Sequence, residues 1–150
     1  MSYKYNSKNE EDTIKLAKKI NDNCFNNMII CLNGDLGSGK TLFTKAFANY
    51  YGIKNTITSP TFSIIKEYNE DNKTLVHMDV YRIEENEDIG ITDYFNNDCI
   101  CIIEWADLIK KDLPNERLEL NFSIAIDGSR DITLISYGKK YEILCKEIFK

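Results

Sequence analysis

Two prolines, one tryptophan and a single histidine are spread through 150 residues, and arginine occurs only at positions 82, 117 and 130. Each scarcity excludes something. One imidazole, His77, cannot build a His-rich metal centre; the ordinary role for it on a strand is a hydrogen-bonded, partly buried ring, with contact to a nearby ligand site as the alternative. Five cysteines at 24, 31, 99, 101 and 145 form no C-x-x-C pair, so they read as reduced thiols, those at 31, 99 and 101 filling space inside strands. The formal charge is −5 with a pI near 5.0. That balance lacks the clustered cations of a sequence-independent nucleic-acid grip, so no DNA partner is expected and any RNA would be held mostly by a partner. The Lys pairs at 18–19, 110–111 and 139–140 read as solvated faces.

No apolar run approaches the roughly 18 residues that span a bilayer, and Met1 to Glu11 is too polar for a signal peptide. The expectation is a soluble, cytoplasmic protein with no membrane partner. With 43% hydrophobic content and no linker, repeat or low-complexity tract, residues 1–150 are expected to form a single domain around one core.

What is abundant is phosphate-binding chemistry in one place. Gly34-Asp35-Leu36-Gly37-Ser38-Gly39-Lys40-Thr41 satisfies G-x-x-x-x-G-K-[ST]. In this pattern the glycines turn the backbone and aim N–H groups at phosphate oxygens, while Lys40 reaches the β- and γ-phosphates and Thr41 offers its hydroxyl to Mg²⁺. The flanks agree. Met28 to Leu32 is a short apolar run of strand character, and Phe43, Ala46, Phe47 and Tyr50 recur at helical spacing. A helix starting inside the loop would turn its unpaired N–H groups and positive dipole end toward the phosphates. The motif and its flanks predict ATP or GTP binding.

Elsewhere the pattern alternates between period two and period 3.6. Ser7 and Glu10 form a capping box ahead of Ile14, Ala17 and Ile20, predicting a short strand around Tyr3 and then an amphipathic helix to about Asn23. Gly52 closes the loop helix. Residues 61–68 and 74–80 read as a hairpin around the polar turn 69–73. Residues 84–89 are weakly helical, Cys99 to Ile103 is a strand covered on both faces, and Ala106 to Lys111 holds one or two helical turns before Pro114. Leu118 to Ile126 and Ile132 to Tyr137 flank an Asp127-Gly128 turn as a second hairpin. Tyr141 to Lys150 is ambiguous between strand and helix. The expected fold class is α/β, a three-layer P-loop NTPase fold whose mixed, largely parallel sheet carries antiparallel hairpins.

Hydrolysis or transfer needs an acid near the metal and a group that positions the attacking oxygen. Asp79 and Glu104 each follow an apolar strand, and strand carboxyl ends are where open α/β sheets bind ligands. Either can serve Mg²⁺ while the other orients water. Ser59-Pro60-Thr61 lies where nucleotide switches keep a segment that closes over the γ-phosphate. Trp105, directly after Glu104, is a candidate for the rim of the site.

Taken with the loop, SPTF at 59–62, HMDVYR at 77–82, GITDYF at 90–95, IIEW at 102–105 and LP at 113–114 resemble, in order and spacing, the bacterial TsaE family, formerly called YjeE. The resemblance covers about residues 30 to 130. It implies a Mg²⁺-dependent ATPase, weak alone, required for threonylcarbamoyladenosine at position 37 of tRNAs and working with TsaD and TsaB. It further implies that Thr41 and Glu104 are Mg²⁺ ligands, that Asp79 is a catalytic or metal-associated acid, that Thr61 belongs to the switch-like loop, and that Trp105 and Arg130 border the nucleotide. Leu42 departs from the family pattern, replacing a second Thr, and Ala106-Asp107 replace the usual Pro. The rival enzyme class is a P-loop small-molecule kinase, which needs a basic lid that three arginines hardly supply. No [NT]-K-x-D base-reading motif occurs, so ATP is favoured over GTP. A nucleotide-dependent assembly switch overlaps with the family role.

Overall fold

The computed structural model describes residues 1–58, 64–83 and 90–150. Thr61 with the expected closing segment Ser59-Pro60-Thr61, and the weakly helical stretch 84–89, lie outside the described residues.

In chain order the elements are β1 (Ser2–Ser7), α1 (Glu10–Asp22), β2 (Ile29–Asn33), α2 (Lys40–Tyr51), β3 (Ile65–Glu70), β4 (Lys73–Asp79), β5 (Ile100–Glu104), β6 (Arg117–Ile124), β7 (Arg130–Tyr137) and α3 (Lys139–Ile148). Two 3₁₀ segments, Ile91–Tyr94 and Ala106–Asp112, flank β5. The strands form one sheet in the order β1-β7-β6-β2-β5-β4-β3. Parallel pairing joins β6, β2, β5 and β4, while β3 and β7 run against their neighbours as the two hairpins. β1 is antiparallel to β7 and therefore points the same way as the central strands. The expected mixed sheet with antiparallel hairpins is present.

Period two divides the core. Ile30, Leu32, Ile100, Ile102, Leu118 and Leu120 face the three helices with Phe43 and Phe47 of α2 and Leu16 and Ile20 of α1. Ile29, Cys31, Cys101 and Ile103 face the opposite side, where Ile91, Ala106 and Ile109 cover them from the 3₁₀ segments. β2 and β5 are buried along their whole length, as strands covered on both faces must be. All five cysteines are free thiols, and Cys31, Cys99 and Cys101 are buried within strand-side packing.

Two local readings need correction. The cap of α1 is Asn9, whose side chain accepts the Asp12 N–H at 3.0 Å, while Asp12 Oδ2 accepts from Lys8 N at 2.9 Å. Ser7 is instead buried at the end of β1 and hydrogen-bonded to Thr13 Oγ1 at 2.6 Å. Pairing with β7 extends the strand through Ser7, so the cap moves two residues along the chain. The ambiguous C-terminus is helix α3: Tyr141, Leu144, Cys145 and Ile148 recur at helical spacing and all bury against the helix-side core, where the Tyr141 hydroxyl accepts the Ile29 N–H at 2.9 Å.

Candidate nucleotide site

The loop from Gly34 to Gly39 leaves the carboxyl end of β2 and delivers the chain into α2 at Lys40. Its three glycines have φ of 144°, 78° and 111° at 34, 37 and 39, a region L side chains avoid. At Gly34 space forbids one as well: a Cβ there would come within 2.6 Å of the Phe122 carbonyl oxygen and 2.8 Å of Ser38 Oγ. Gly39 is the N-cap of α2 and supplies no side-chain cap, so the first N–H groups of the helix keep free donors at the loop.

A cleft of about 470 Å³ opens over this loop, lined by Asp35, Leu36, Gly37, Ser38, Gly39, Lys40 and Thr41 and by Asp79, Glu104, Trp105 and Arg130. These are eleven of the twelve described site residues read from the sequence pattern or the family resemblance. The twelfth, Gly34, lies beneath them, its carbonyl accepting from Lys40 Nζ. Lys40 Nζ also donates to the Asp35 carbonyl at 3.2 Å and sits 3.9 Å from the centroid of the Trp105 ring. Burial pulls the Lys40 ammonium below its ordinary range, opposed by the charges of Glu104, Asp79 and Asp35. Ser38 Oγ is buried without a hydrogen-bond partner in the loop, an open donor and acceptor at the floor of the anion cradle.

Why the two acids meet Lys40 follows from register. β4 and β5 pair in parallel with Asp79 opposite Glu104, and alternation turns 77 and 79 of β4, like 100, 102 and 104 of β5, toward the face that packs α2. Glu104 is buried. Its Oε1 accepts from Thr41 Oγ1 at 3.5 Å and its Oε2 lies 2.5 Å from His77 Nε2. His77 is therefore the hydrogen-bonded imidazole expected of it, and through Glu104 it also touches the site.

Asp79 is half-buried, and its Oδ1 accepts the Tyr81 N–H at 3.1 Å. Burial pushes its carboxyl above the ordinary range; the Tyr81 hydrogen bond opposes this and the Glu104 charge adds to it. A carboxyl whose folded-state pKa is raised binds its proton more tightly in the native state, so stability falls as pH rises through the folded value. Asp79→Asn is accordingly expected to raise the melting temperature of the nucleotide-free protein at pH 7. The gain should fade as pH falls below about 4, where the carboxyl becomes protonated in the unfolded state as well. Thermal melts at the two pH values check this, and a lower melting temperature at pH 7 would contradict it.

Among the described residues no three His, Cys, Asp or Glu side chains gather into a metal cage. Mg²⁺ does not need one, since it is commonly held by one or two protein oxygens together with substrate phosphates and water. The pair of Thr41 Oγ1 and Glu104 Oε1 fits that donor set.

Trp105 takes a left-handed φ of 63° at the turn out of β5. This turns its ring back over Lys40, where Tyr81 packs against it at 4.7 Å, while the Trp105 backbone N–H donates to the Leu32 carbonyl at 2.8 Å. Arg130 reaches the loop from the start of β7, Nη2 donating to the Gly37 carbonyl at 3.1 Å.

Sequence reasoning missed one wall of the cleft and one brace. Ser7, Asn9 and Thr13 line it from the β1–α1 junction, brought there because Ser7 lies opposite Arg130 in the β1–β7 pairing. Asn33 donates to Asn121 Oδ1 at 3.0 Å and accepts the Asp107 N–H at 2.8 Å, tying the end of β2 to β6 and to the segment after Trp105. Contacts across so many residues leave no local signal.

The sequence profile of the family described as Threonylcarbamoyl adenosine biosynthesis protein TsaE matches residues 7–132. The tRNA threonylcarbamoyladenosine biosynthesis protein TsaE of Bacillus subtilis (strain 168) is 46% identical over 146 residues, covering 97% of this chain and 92% of that protein. Its counterpart in Treponema pallidum (strain Nichols) is 34% identical over 131 residues, covering 85% and 96%. A crystal structure of Bacillus subtilis YdiB superposes with a TM-score of 0.83 at 41% identity, covering 99% of this chain and 95% of that one.

Proposed function

Since the chain belongs to the TsaE family, whose members are threonylcarbamoyl adenosine biosynthesis proteins, we propose that it binds ATP with Mg²⁺ and hydrolyses it in support of threonylcarbamoyladenosine formation at position 37 of tRNA, acting in the cytoplasm with a TsaD–TsaB complex. The observation that carries the nucleotide part is the convergence of Lys40, Thr41, Asp79 and Glu104 on one cleft at the start of α2.

The N–H groups opening α2 and the Gly37 to Lys40 backbone receive the phosphates, where aligned donors and the helix dipole favour negative charge. Lys40 Nζ exchanges its two carbonyl acceptors for phosphate oxygens, and Trp105 over it limits water around the ammonium. Thr41 Oγ1 and Glu104 Oε1 would hold the metal, which would neutralise charge on the phosphate oxygens. Asp79, beside Glu104 but not bonded to Thr41, orients the attacking water. Arg130 stiffens the loop at Gly37 and presents charge at the rim. The acidic balance of the chain favours a protein partner over direct tRNA binding.

ATP turnover should therefore rise several-fold on adding purified TsaD–TsaB and stay at its basal value on adding free tRNA. Substitution of Trp105 or Thr61 should lower the stimulated rate more than the basal one, because a rim completed only in the complex contributes little to the free protein. Stimulation by tRNA alone, or turnover that requires a small-molecule phosphate acceptor, would favour another reading, the second of these a kinase.

A further inference from the structure

His77 is fully buried in β4, opposite Ile102 of β5 and with apolar Val76 and Met78 as its strand neighbours. A polar ring in such surroundings is costly unless it is hydrogen-bonded. Among the described residues it makes one such contact, Nε2 to Glu104 Oε2 at 2.5 Å, and Nδ1 has no partner.

A proton on Nδ1 alone would set the Nε2 lone pair against a carboxylate oxygen, so Nε2 is the donor to Glu104 Oε2.

We propose that His77 is a positioning residue for the cation site: it holds Oε2 of Glu104 so that only Oε1 is presented toward Thr41. The inference rests on the reading of Glu104 as a Mg²⁺ ligand. A glutamate's terminal torsion is broad and roughly two-fold, and the Lys40 ammonium lies near enough to feel the Glu104 charge. A carboxylate without the imidazole would be free to turn toward Lys40, closing the metal position and tying up the phosphate-binding cation together. The brace from β4 keeps the acid and the lysine apart, one for the metal and one for phosphate. Partners that orient a metal ligand in this way are typically worth about 10- to 100-fold in metal affinity.

The test titrates Mg²⁺ against ATP binding by calorimetry and against turnover, using His77→Leu, His77→Gln and Glu104→Gln. The Gln amide nitrogen takes the place of Nε2 and keeps a neutral donor. His77→Leu is expected to raise the half-saturating Mg²⁺ concentration about ten-fold or more and to weaken metal-free ATP binding by a smaller factor, as the freed carboxylate draws on Lys40, and His77→Gln to restore the Mg²⁺ requirement to within about three-fold of the wild-type protein. If His77→Leu leaves the Mg²⁺ requirement unchanged while Glu104→Gln raises it, His77 is only a core residue and the inference falls. If Glu104→Gln also leaves it unchanged, the metal reading of Glu104 fails first and takes the inference with it. Should His77→Leu not fold, His77→Asn, whose amide is too short to reach, replaces it. Asn must then need about ten-fold more Mg²⁺ than Gln, and equal requirements would overturn the proposal.

Discussion

Lys40→Ala is expected to weaken ATP binding by about 10- to 100-fold, the equivalent of the roughly 1.5–3 kcal/mol carried by a charge-assisted contact to phosphate. The fold should survive. Burial already pulls the Lys40 ammonium down, so below the folded-state pKa the native state carries that cation at a cost, and the cost is relieved as pH rises through that value toward the unfolded one. Removing the charge takes away the carbonyl contacts to Gly34 and Asp35 but also a buried cation. Calorimetry on protein shown to be folded by thermal melting decides the point. Wild-type affinity and turnover in the variant would remove the basis for reading residues 34–41 as a phosphate loop.

Glu104→Ala is expected to cut ATP turnover by about 100-fold or more, since a metal at a reacting phosphate supplies several kcal/mol of charge stabilisation. ATP affinity measured without Mg²⁺ should change much less, because the Gly37 to Lys40 contacts remain. Two effects separate in this variant. Truncation also strands the His77 N–H in the core, at about 1–3 kcal/mol of stability, so turnover must be compared with Glu104→Gln, which retains an acceptor. If the Gln variant hydrolyses ATP at the wild-type rate, the metal-holding acid lies elsewhere and Asp79 becomes the first candidate.

Most of the site was legible because a phosphate loop is local. Eight consecutive residues set the glycine torsions, the lysine and the hydroxyl, and the apolar runs on either side specify strand and helix by their periods. Asp79 and Glu104 were legible for a related reason, being the first acids after two apolar strands. The N-cap of α1 was misread because Ser7 and Asn9 both suit a cap, and the choice was made by β1 pairing with β7, more than 120 residues away in the chain. The form of the C-terminal ten residues was likewise decided by the surface they cover, where Tyr141 meets the Ile29 N–H.

By itself, then, the amino-acid sequence determined most of the elements, the mixed sheet, the phosphate loop and the family, since each rests on residue type at short spacing or on blocks in fixed order. The tertiary structure alone decided which side chains share the cleft. Parallel register of β4 and β5 sets Asp79 beside Glu104 and places His77 behind it, and a left-handed turn at residue 105 lays the Trp105 ring over Lys40. The β1–β7 pairing brings Ser7 to Arg130 at the far wall. Hydrogen-bond register between distant strands is chosen by the packing of the whole sheet, because a slip of one residue would turn every one of these side chains to the opposite face.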